Sequence, residues 1–337
     1  MKKLYSFGAL VALFGAAGVI QAAGNGILVV TASNATTNEL MVYDTSGTLV
    51  QTVPTEGTGG VSGNAGGIET QGNMLAVVNY GSLNVSIFAR TSTGFAVTQL
   101  VPTISNPVSV AFSSTHLYVL GTTEVESHRI NGTQVSATPD GEVSLVVSDG
   151  SAAQVGVLPG QLVITEKSNM VETVNLAPGG GVIGNATPVA NIPSNVNTPF
   201  GLVTSGNNAY VTIAHANEIS LVRNSAILTT TSSGTQMAPC WLTLVGPFLY
   251  SSNSPSMSIS RYAVFGQRIV QVDAVAATLN GAPTDIASSD GLVGVIDGSG
   301  SISHLSIFAI DDDGNLTLHS AVTINDVVNG VALVPAQ

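Results

Sequence analysis

The sequence contains one cysteine, very few charged residues and few aromatic ones. Cys240 is the only cysteine in 337 residues, so no disulfide can form within the chain and packing must hold the fold. Charged residues make up only 8% of the chain and aromatic residues 5%, yet 44% of the residues are hydrophobic. This composition excludes intrinsic disorder, which combines high net charge with low apolar content. Solubility must come from Ser, Thr, Asn and Gly, residues typical of β-turns.

Basic residues are the scarcest charged class. Eight Lys and Arg residues stand against twenty Asp and Glu residues, and the formal net charge is −12. Nucleic acids and anionic membrane surfaces are bound by basic patches. We therefore expect neither as a partner.

Residues 1–23 have the features of a secretory signal peptide. Lys2 and Lys3 form a positive start, an apolar stretch runs from Leu10 to Ile20, and small residues lead to Ala23. A retained membrane anchor is the alternative, but Gly and Ala interrupt the stretch and it is shorter than the ~20 residues of a bilayer span. We predict cleavage of this segment and export to the periplasm or the extracellular medium of a bacterium, without membrane attachment. The remaining chain, residues 24–337, carries a formal charge of −14 because two lysines are lost.

Long-range helical periodicity is also missing. Apolar residues do not recur at three- and four-residue spacing over any long window. Instead, apolar and small polar residues alternate with a period of two, which is typical of strands with one buried face. The stretch from Thr198 to Arg223 contains three such runs separated by polar turns. It predicts three strands of one β-propeller blade.

The same unit recurs seven times along the chain. Its second strand begins at Ile27, Leu75, Leu117, Leu162, Ala209, Leu249 and Val293. The spacings of 40 to 48 residues match a four-stranded propeller blade. The first unit lacks a strand before Ile27, and the run GVALVP at Gly330 can supply it. We predict one all-β domain over residues 24–337, a seven-bladed β-propeller whose ring is closed when the C-terminal strand pairs into the first blade.

The repeat also predicts which residues surround the mouth of the central channel. In an up-and-down blade, the loop that enters the inner strand and the loop that leaves the second strand lie on the same face. His215, Glu166 and Asp297 form the only set of imidazole and carboxylate groups placed there, and such a set can perform acid–base catalysis if the side chains converge. A solvated rim without catalytic function is the alternative. The candidate substrate-binding residues from the same loops are Asn79, Tyr80, Asn253 and Lys167.

Three other features favour structural interpretations. The Gly-rich segment Glu56–Gly67 lacks both phosphate-binding glycine patterns, so we interpret it as an extended connection between blades 1 and 2. The segment Asp311–Asn315 begins like a calcium loop but lacks the later glutamate, which favours a hairpin turn. Phe200 and Trp241 are interpreted as packing residues between blades. We predict no metal ion and no cofactor.

Three segments carry a resemblance to a known family. They are LAVVNYGSLNVSIFA at Leu75, AYVTIAHANEISLV at Ala209 and LYSSNSPSMSISRYAV at Leu249. These runs resemble the blade repeat of the seven-bladed lactonase family, which includes bacterial 6-phosphogluconolactonases and fungal carboxymuconate-cyclising enzymes. The resemblance extends over residues 24–337 and implies a lactone site at the channel mouth.

The chain departs from that family at the residues that line its site. Where the family has a Pro-Arg-His triplet, this chain has Pro199–Gly201 and Pro239–Trp241. Where the family has an Asn-Glu pair, this chain has Asn79–Tyr80 and Asn253–Ser254. Lys167 is the only basic residue at the predicted mouth. The resemblance implies a lactone substrate, and these departures favour a small lactone without a phosphate group.

Two functions of different classes follow. In the first, the protein hydrolyses or isomerises a small lactone, with His215 as the base and with Asn79 and Asn253 donating hydrogen bonds to the carbonyl oxygen. In the second, it is a non-catalytic exported propeller that binds a partner or a glycan, or assembles with itself. The first requires an enclosed pocket with His215 close to a carboxylate, whereas the second allows a shallow or plugged mouth.

Overall fold

The computed structural model describes residues 26–190 and 198–336. Regular structure in these residues is nearly all β, in seven antiparallel sheets. The predicted signal peptide, residues 1–23, lies outside the described residues. Within them, no helix has the length and apolar character needed to cross a membrane.

Each sheet is one blade, which we number 1 to 7 from the N-terminus and describe from the channel outwards. The inner strands are Asn329–Val334, Ile68–Gln71, Pro107–Phe112, Ala152–Leu158, Pro199–Ser205, Pro239–Val245 and Ala282–Ser289. The second strands are Leu28–Ala32, Met74–Asn79, His116–Gly121, Gln161–Glu166, Asn208–Ile213, Phe248–Asn253 and Leu292–Ser299.

The third strands are Glu39–Asp44, Asn84–Thr91, Glu124–Asn131, Met170–Leu176, Glu218–Arg223, Ser258–Phe265 and Ile302–Ile310. The outer strands are Leu49–Pro54, Gly94–Pro102, the two short strands Gln134–Val135 and Gly141–Ser144 of blade 3, Val182–Pro188, Ala226–Ser232, Arg268–Thr278 and Leu316–Ile324. Two 3₁₀ turns, Tyr80–Ser82 and Ala214–Ala216, follow the second strands of blades 2 and 5.

The seven-bladed ring and its closure are confirmed. Every predicted second strand occupies that position in its blade, and neighbouring inner strands contact one another in a complete circle. The C-terminal strand pairs antiparallel with Leu28–Ala32, placing Val29 opposite Leu333 and Val30 opposite Ala332. Pairing the two ends of the chain in one blade completes the ring and leaves only short, protected sheet edges at the channel.

Buried aliphatic side chains hold neighbouring blades together. The second strands are buried along almost their whole length because both of their faces meet adjacent blades, as in Met74–Asn79. Outer strands such as Leu49–Pro54 alternate between exposed and partly buried positions. This gradient explains why the second strands give the clearest apolar runs in the sequence.

Several inner strands have a β-bulge close to the mouth. Register shifts follow Pro107, Pro199, Pro239 and Pro283, and each proline is the first or second residue of its strand. A proline here removes no required ladder donor, and a bulge redirects the side chains that follow it. The residues that face the channel mouth therefore do not follow the simple alternation of the strand.

Candidate functional site

The Gly-rich segment Glu56–Gly67 crosses the mouth of the channel. Asn64 lies at its centre and makes three long-range hydrogen bonds. Its Nδ2 donates to the Val108 carbonyl at 2.6 Å, its carbonyl accepts from Trp241 Nε1 at 3.0 Å, and its Oδ1 accepts from Asn329 Nδ2 at 3.0 Å. These partners belong to blades 3, 6 and 1. The segment is thus anchored around the ring.

Blade 4 anchors the other side of this segment. The Ala65 amide donates to the Ala153 carbonyl at 3.1 Å, and Lys167 Nζ donates to the Gly63 carbonyl at 2.5 Å. Burial lowers the pKa of Lys167. Within the segment itself, the side chains of Val61 and Ala65 are buried. The predicted connection between blades 1 and 2 is confirmed, and it also closes the channel mouth.

A pocket of about 380 Å³ lies beside this cover, toward blades 5, 6 and 7. Its lining is mainly apolar and contains no Asp, Glu, Lys or Arg among the described residues. The lining residues are Asn34, Val61, Ser62, Gly63, Asn64, Thr198, Phe200, Ala214, His215, Ala238, Cys240, Trp241, Thr284, Val327, Val328 and Asn329. The volume lies within the range of small-molecule sites.

Phe200 and Trp241 form the aromatic wall of the pocket. Their ring centroids lie 5.2 Å apart and their planes meet at 82°, an edge-to-face contact. Both side chains are buried in the cluster that joins blades 5, 6 and 7, which agrees with the predicted packing role. Both also line the pocket, so the packing surface and the ligand-facing surface belong to the same side chains.

His215 is the one predicted catalytic residue that lines this pocket. It lies in the 3₁₀ turn Ala214–Ala216, is exposed, and its Nδ1 lies 2.9 Å from Thr198 Oγ1. No described residue forms a hydrogen bond with its Nε2. The imidazole can therefore meet a ligand, but within the described part of the chain it has no carboxylate partner of the kind that commonly orients a general base.

Glu166 lies inside the ring, at the end of the second strand of blade 4. Its side chain is fully buried on the strand face that packs against blade 3. Burial and the neighbouring Glu172 carboxyl raise the pKa of Glu166 to about 9. Burial also raises the pKa of Glu172. Glu166 is thus a protonated, buried group at neutral pH.

Asp297 is fully buried in blade 7, and its Oδ1 lies 2.7 Å from His304 Nδ1. Among the described residues, no hydrogen bond or ion pair connects Asp297, Glu166 and His215 to one another. The structure therefore places these three candidates in separate environments, and only His215 lies at the mouth pocket.

Asn79 is the centre of a buried polar network between blades 1 and 2. Its Nδ2 donates to Asn84 Oδ1 and to Ser86 Oγ, both at 2.7 Å. Its Oδ1 accepts from Asn38 Nδ2 at 3.0 Å and from Thr55 Oγ1 at 2.7 Å. All of the hydrogen-bonding capacity of the amide is used within the protein.

Asn253 is placed in the same way in blade 6, since its Nδ2 donates to the Ser258 and Ser260 hydroxyls at 3.0 and 2.8 Å. Tyr80 begins the 3₁₀ turn after Asn79 and is partly buried, and its carbonyl accepts from Asn106 Nδ2 at 2.8 Å. These predicted substrate-binding residues contact the protein itself and do not line the mouth pocket.

The cover was not among the predicted site residues. Two residues could have indicated that this segment packs against the ring. They are Val61, an aliphatic residue, and Asn64, an amide residue, in a run that otherwise contains many glycines. Close packing explains one of those glycines, because a Cβ at Gly59 would lie 2.3 Å from the Asn34 backbone. Among the described residues, no group of three or more His, Cys, Asp or Glu side chains is arranged to hold a metal ion.

Neither a protein-family model nor a curated protein matches this sequence. Solved structures do match. The chain is similar to the periplasmic gluconolactonase of Pseudomonas aeruginosa, with a TM-score of 0.68 and 16% identity over 92% of this chain and 99% of that one. A candidate 6-phosphogluconolactonase from Bacteroides uniformis gives a TM-score of 0.68 and 14% identity over 91% and 99% of the two chains. The chain has a lactonase-like fold. The identities are too low to show more than the fold.

Proposed function

We propose that this protein binds a small, uncharged and largely apolar molecule in the mouth pocket. The observation that carries the proposal is the lining itself, an aromatic and aliphatic surface around a volume of about 380 Å³, with no Asp, Glu, Lys or Arg among the described lining residues. A phosphorylated sugar would need cationic or multiple amide donors. Lys167, the basic residue predicted at the mouth, donates to the Gly63 carbonyl.

Lactones are the first class to test. Two proteins with the same fold are named for lactonase activity, and a neutral lactone combines an apolar ring with one carbonyl acceptor. His215 lines the pocket and can act as a donor or a base toward such a carbonyl. Hydrolysis with His215 activating water is the second candidate function, favoured by its position at the pocket and by its Nε2, which forms no hydrogen bond with a described residue.

The chain offers a direct binding assay because Trp241 is the only tryptophan. Its emission should change when an alkyl-substituted δ-lactone fills the pocket, and it should not change with a phosphorylated sugar lactone of the same ring size. Phe200→Ala should weaken the response by removing the aromatic wall. The proposal is wrong if neutral lactones and other apolar ligands leave emission and melting temperature unchanged while the phosphorylated compound alters them.

Acid release measured on the same lactones separates binding from hydrolysis. If His215 is the base, His215→Gln should reduce the hydrolysis rate about 10²-fold or more, while the Trp241 titration remains. If the unmodified protein binds lactones but releases no acid, it is a binding propeller.

We also propose that the chain is exported and works in the periplasm or outside the cell. Support comes from the positive start, apolar stretch and small residues within positions 1–23. Fractionation of cells that produce the full chain with a C-terminal tag tests this. Export predicts an exported product beginning near residue 24, and a full-length product in the cytoplasm would contradict it.

A further inference from the structure

A second cluster of reactive side chains lies on the face opposite the mouth pocket. Residues 113–115 connect the inner and second strands of blade 3, and in an antiparallel blade this connection lies at the end away from the mouth. Thr115 Oγ1 lies 2.9 Å from His116 Nδ1, and His116 Nε2 lies 2.9 Å from Asp140 Oδ2. A hydroxyl, an imidazole and a carboxylate thus form a continuous chain.

The protonation state of Asp140 determines how protons are arranged in this hydrogen-bonded series of Thr115, His116 and Asp140. Burial raises the pKa of its carboxyl, but hydrogen bonds with His116 and Ser127 and charge interactions with His116 and Arg129 outweigh burial, so the pKa is lowered overall. An ionised carboxylate only accepts hydrogen bonds. In its neutral form His116 then carries its proton on Nε2, and its Nδ1 accepts a hydrogen bond from the Thr115 hydroxyl. This is the state in which an imidazole can take a proton from a hydroxyl nucleophile.

The imidazole is held rigidly. His116 is fully buried and stacks on Tyr118 with 5.9 Å between ring centroids. The Tyr118 hydroxyl donates to the Gly180 carbonyl at 2.7 Å. Gly180 has φ of +100°, and a Cβ there would lie 2.5 Å from His116 Nδ1 and 2.8 Å from Thr115 Oγ1. Only glycine lets this loop lie against the reactive pair.

Thr115 opens into a groove of about 800 Å³ between blades 3 and 4. Thr115 is exposed, and the walls of the groove include Leu158, Pro159, Leu176 and Pro178. A small apolar acyl or alkyl group fits such a surface. The Thr198–His215 pair at the mouth has the same hydroxyl–imidazole contact, but no carboxylate among the described residues contacts its imidazole.

We propose that Thr115 and His116 form a second site, which hydrolyses carboxylic esters with small apolar groups. Thr115 Oγ1 forms a bond to the carbonyl carbon and its proton passes to His116 Nδ1. The ester C–O bond breaks, and His116 returns the proton to the leaving alcohol. Water then attacks the acyl-threonine with His116 again as base, releasing the acid and restoring Thr115. Asp140 is a positioning residue that orients His116 and stabilises its charged form.

The test uses the full exported chain with two probes, p-nitrophenyl butyrate for turnover and a fluorophosphonate for covalent capture. Attack of Thr115 on phosphorus expels fluoride, and mass spectrometry should locate the phosphonate on Thr115. Thr115→Val keeps the shape of the side chain and should abolish labelling. The same variant and His116→Gln should each reduce ester hydrolysis about 10²-fold or more. Ser205→Ala, at an exposed hydroxyl beside the corresponding turn of blade 5, should change neither readout.

Asp140→Asn should lower kcat and leave KM nearly unchanged, a split that a purely structural role would not produce. Thermal melts of all variants establish that they fold, and labelling of Thr115 in the unmodified chain keeps the test valid if His116→Gln does not fold. Absence of a phosphonate on Thr115, or full ester hydrolysis by a folded Thr115→Val variant, would overturn the proposal. Neither result depends on whether lactones bind at the mouth.

Discussion

Deleting residues 330–337 should unfold most of the protein, because it removes the inner strand of blade 1. That strand buries Val331, Leu333 and Val334 to 4% exposure or less. It also forms the ladder with Leu28–Ala32, and the Val331 amide donates to Asp285 Oδ2 of blade 7 at 3.0 Å. One short strand therefore joins both sides of the ring.

The size of the effect follows from this burial. Each buried Val or Leu side chain contributes ~1.5–3 kcal/mol, so three of them give roughly 5–9 kcal/mol before the lost ladder hydrogen bonds are included. Total folding free energies are ~5–15 kcal/mol. The deletion thus removes most or all of the stability, and it leaves the second strand of blade 1 with an open edge that favours aggregation.

Urea and thermal melts of the 330–337 deletion and of three further variants test this reasoning. Deleting residues 335–337 is the length control and should change stability by less than ~0.5 kcal/mol, since Pro335 and Ala336 are exposed. Leu333→Ala should cost ~2–5 kcal/mol, whereas Leu318→Ala, at an exposed position of blade 7, should cost less than ~0.5 kcal/mol. If the protein without residues 330–337 melts within a few degrees of the intact chain, the closed ring does not provide the stability assigned to it.

Three further predictions follow from buried contacts. Asn79→Ala leaves several buried partners without a hydrogen bond and should lower the unfolding free energy by at least ~2 kcal/mol, measured by urea titration. Gly201→Ala places a Cβ 2.3 Å from the Cys240 carbonyl and should destabilise by ~1–3 kcal/mol with an altered Trp241 emission. Because the folded pKa of Glu166 lies near 9, above its unfolded value of about 4.5, its stabilising contribution is complete below pH 4.5 and is lost as pH rises toward 9. Melts across this range should show a weaker decline in Glu166→Gln, and an unchanged pH profile in that variant would contradict the assignment.

The fold was predictable because each blade repeats the same local pattern. Period-two alternation defines single strands, and the spacing of 40 to 48 residues defines the blade. Closure was predictable from a mismatch in the repeat, since the first unit lacked an inner strand and Gly330 began an unassigned one. None of these inferences needed a long-range contact other than the pairing of the two chain ends.

The candidate site was less predictable, because the repeat pattern does not show the direction of side chains at the strand ends or the positions of β-bulges. A side chain at or near the end of a second strand can be buried in the protein and not face the mouth, and Asn79, Asn253, Glu166 and Asp297 are all fully buried. Bulges in the inner strands also change which residue faces the mouth. The path of Glu56–Gly67 across the mouth depends on hydrogen bonds to blades far along the chain. The sequence of the loop alone does not predict these partners.

The cover also separates two chemically different spaces in the channel. Below Ala65 and Trp241 lies a cavity of about 170 Å³ that contains Glu69 and Asp285. Burial raises the pKa of both carboxyls to about 7, and the charge of Asp285 adds to the shift of Glu69. Neither carboxyl lines the mouth pocket. A ligand in that pocket meets aromatic rings and His215 while the channel acids lie behind the cover, so any reaction at the mouth must proceed without them unless Glu56–Gly67 moves.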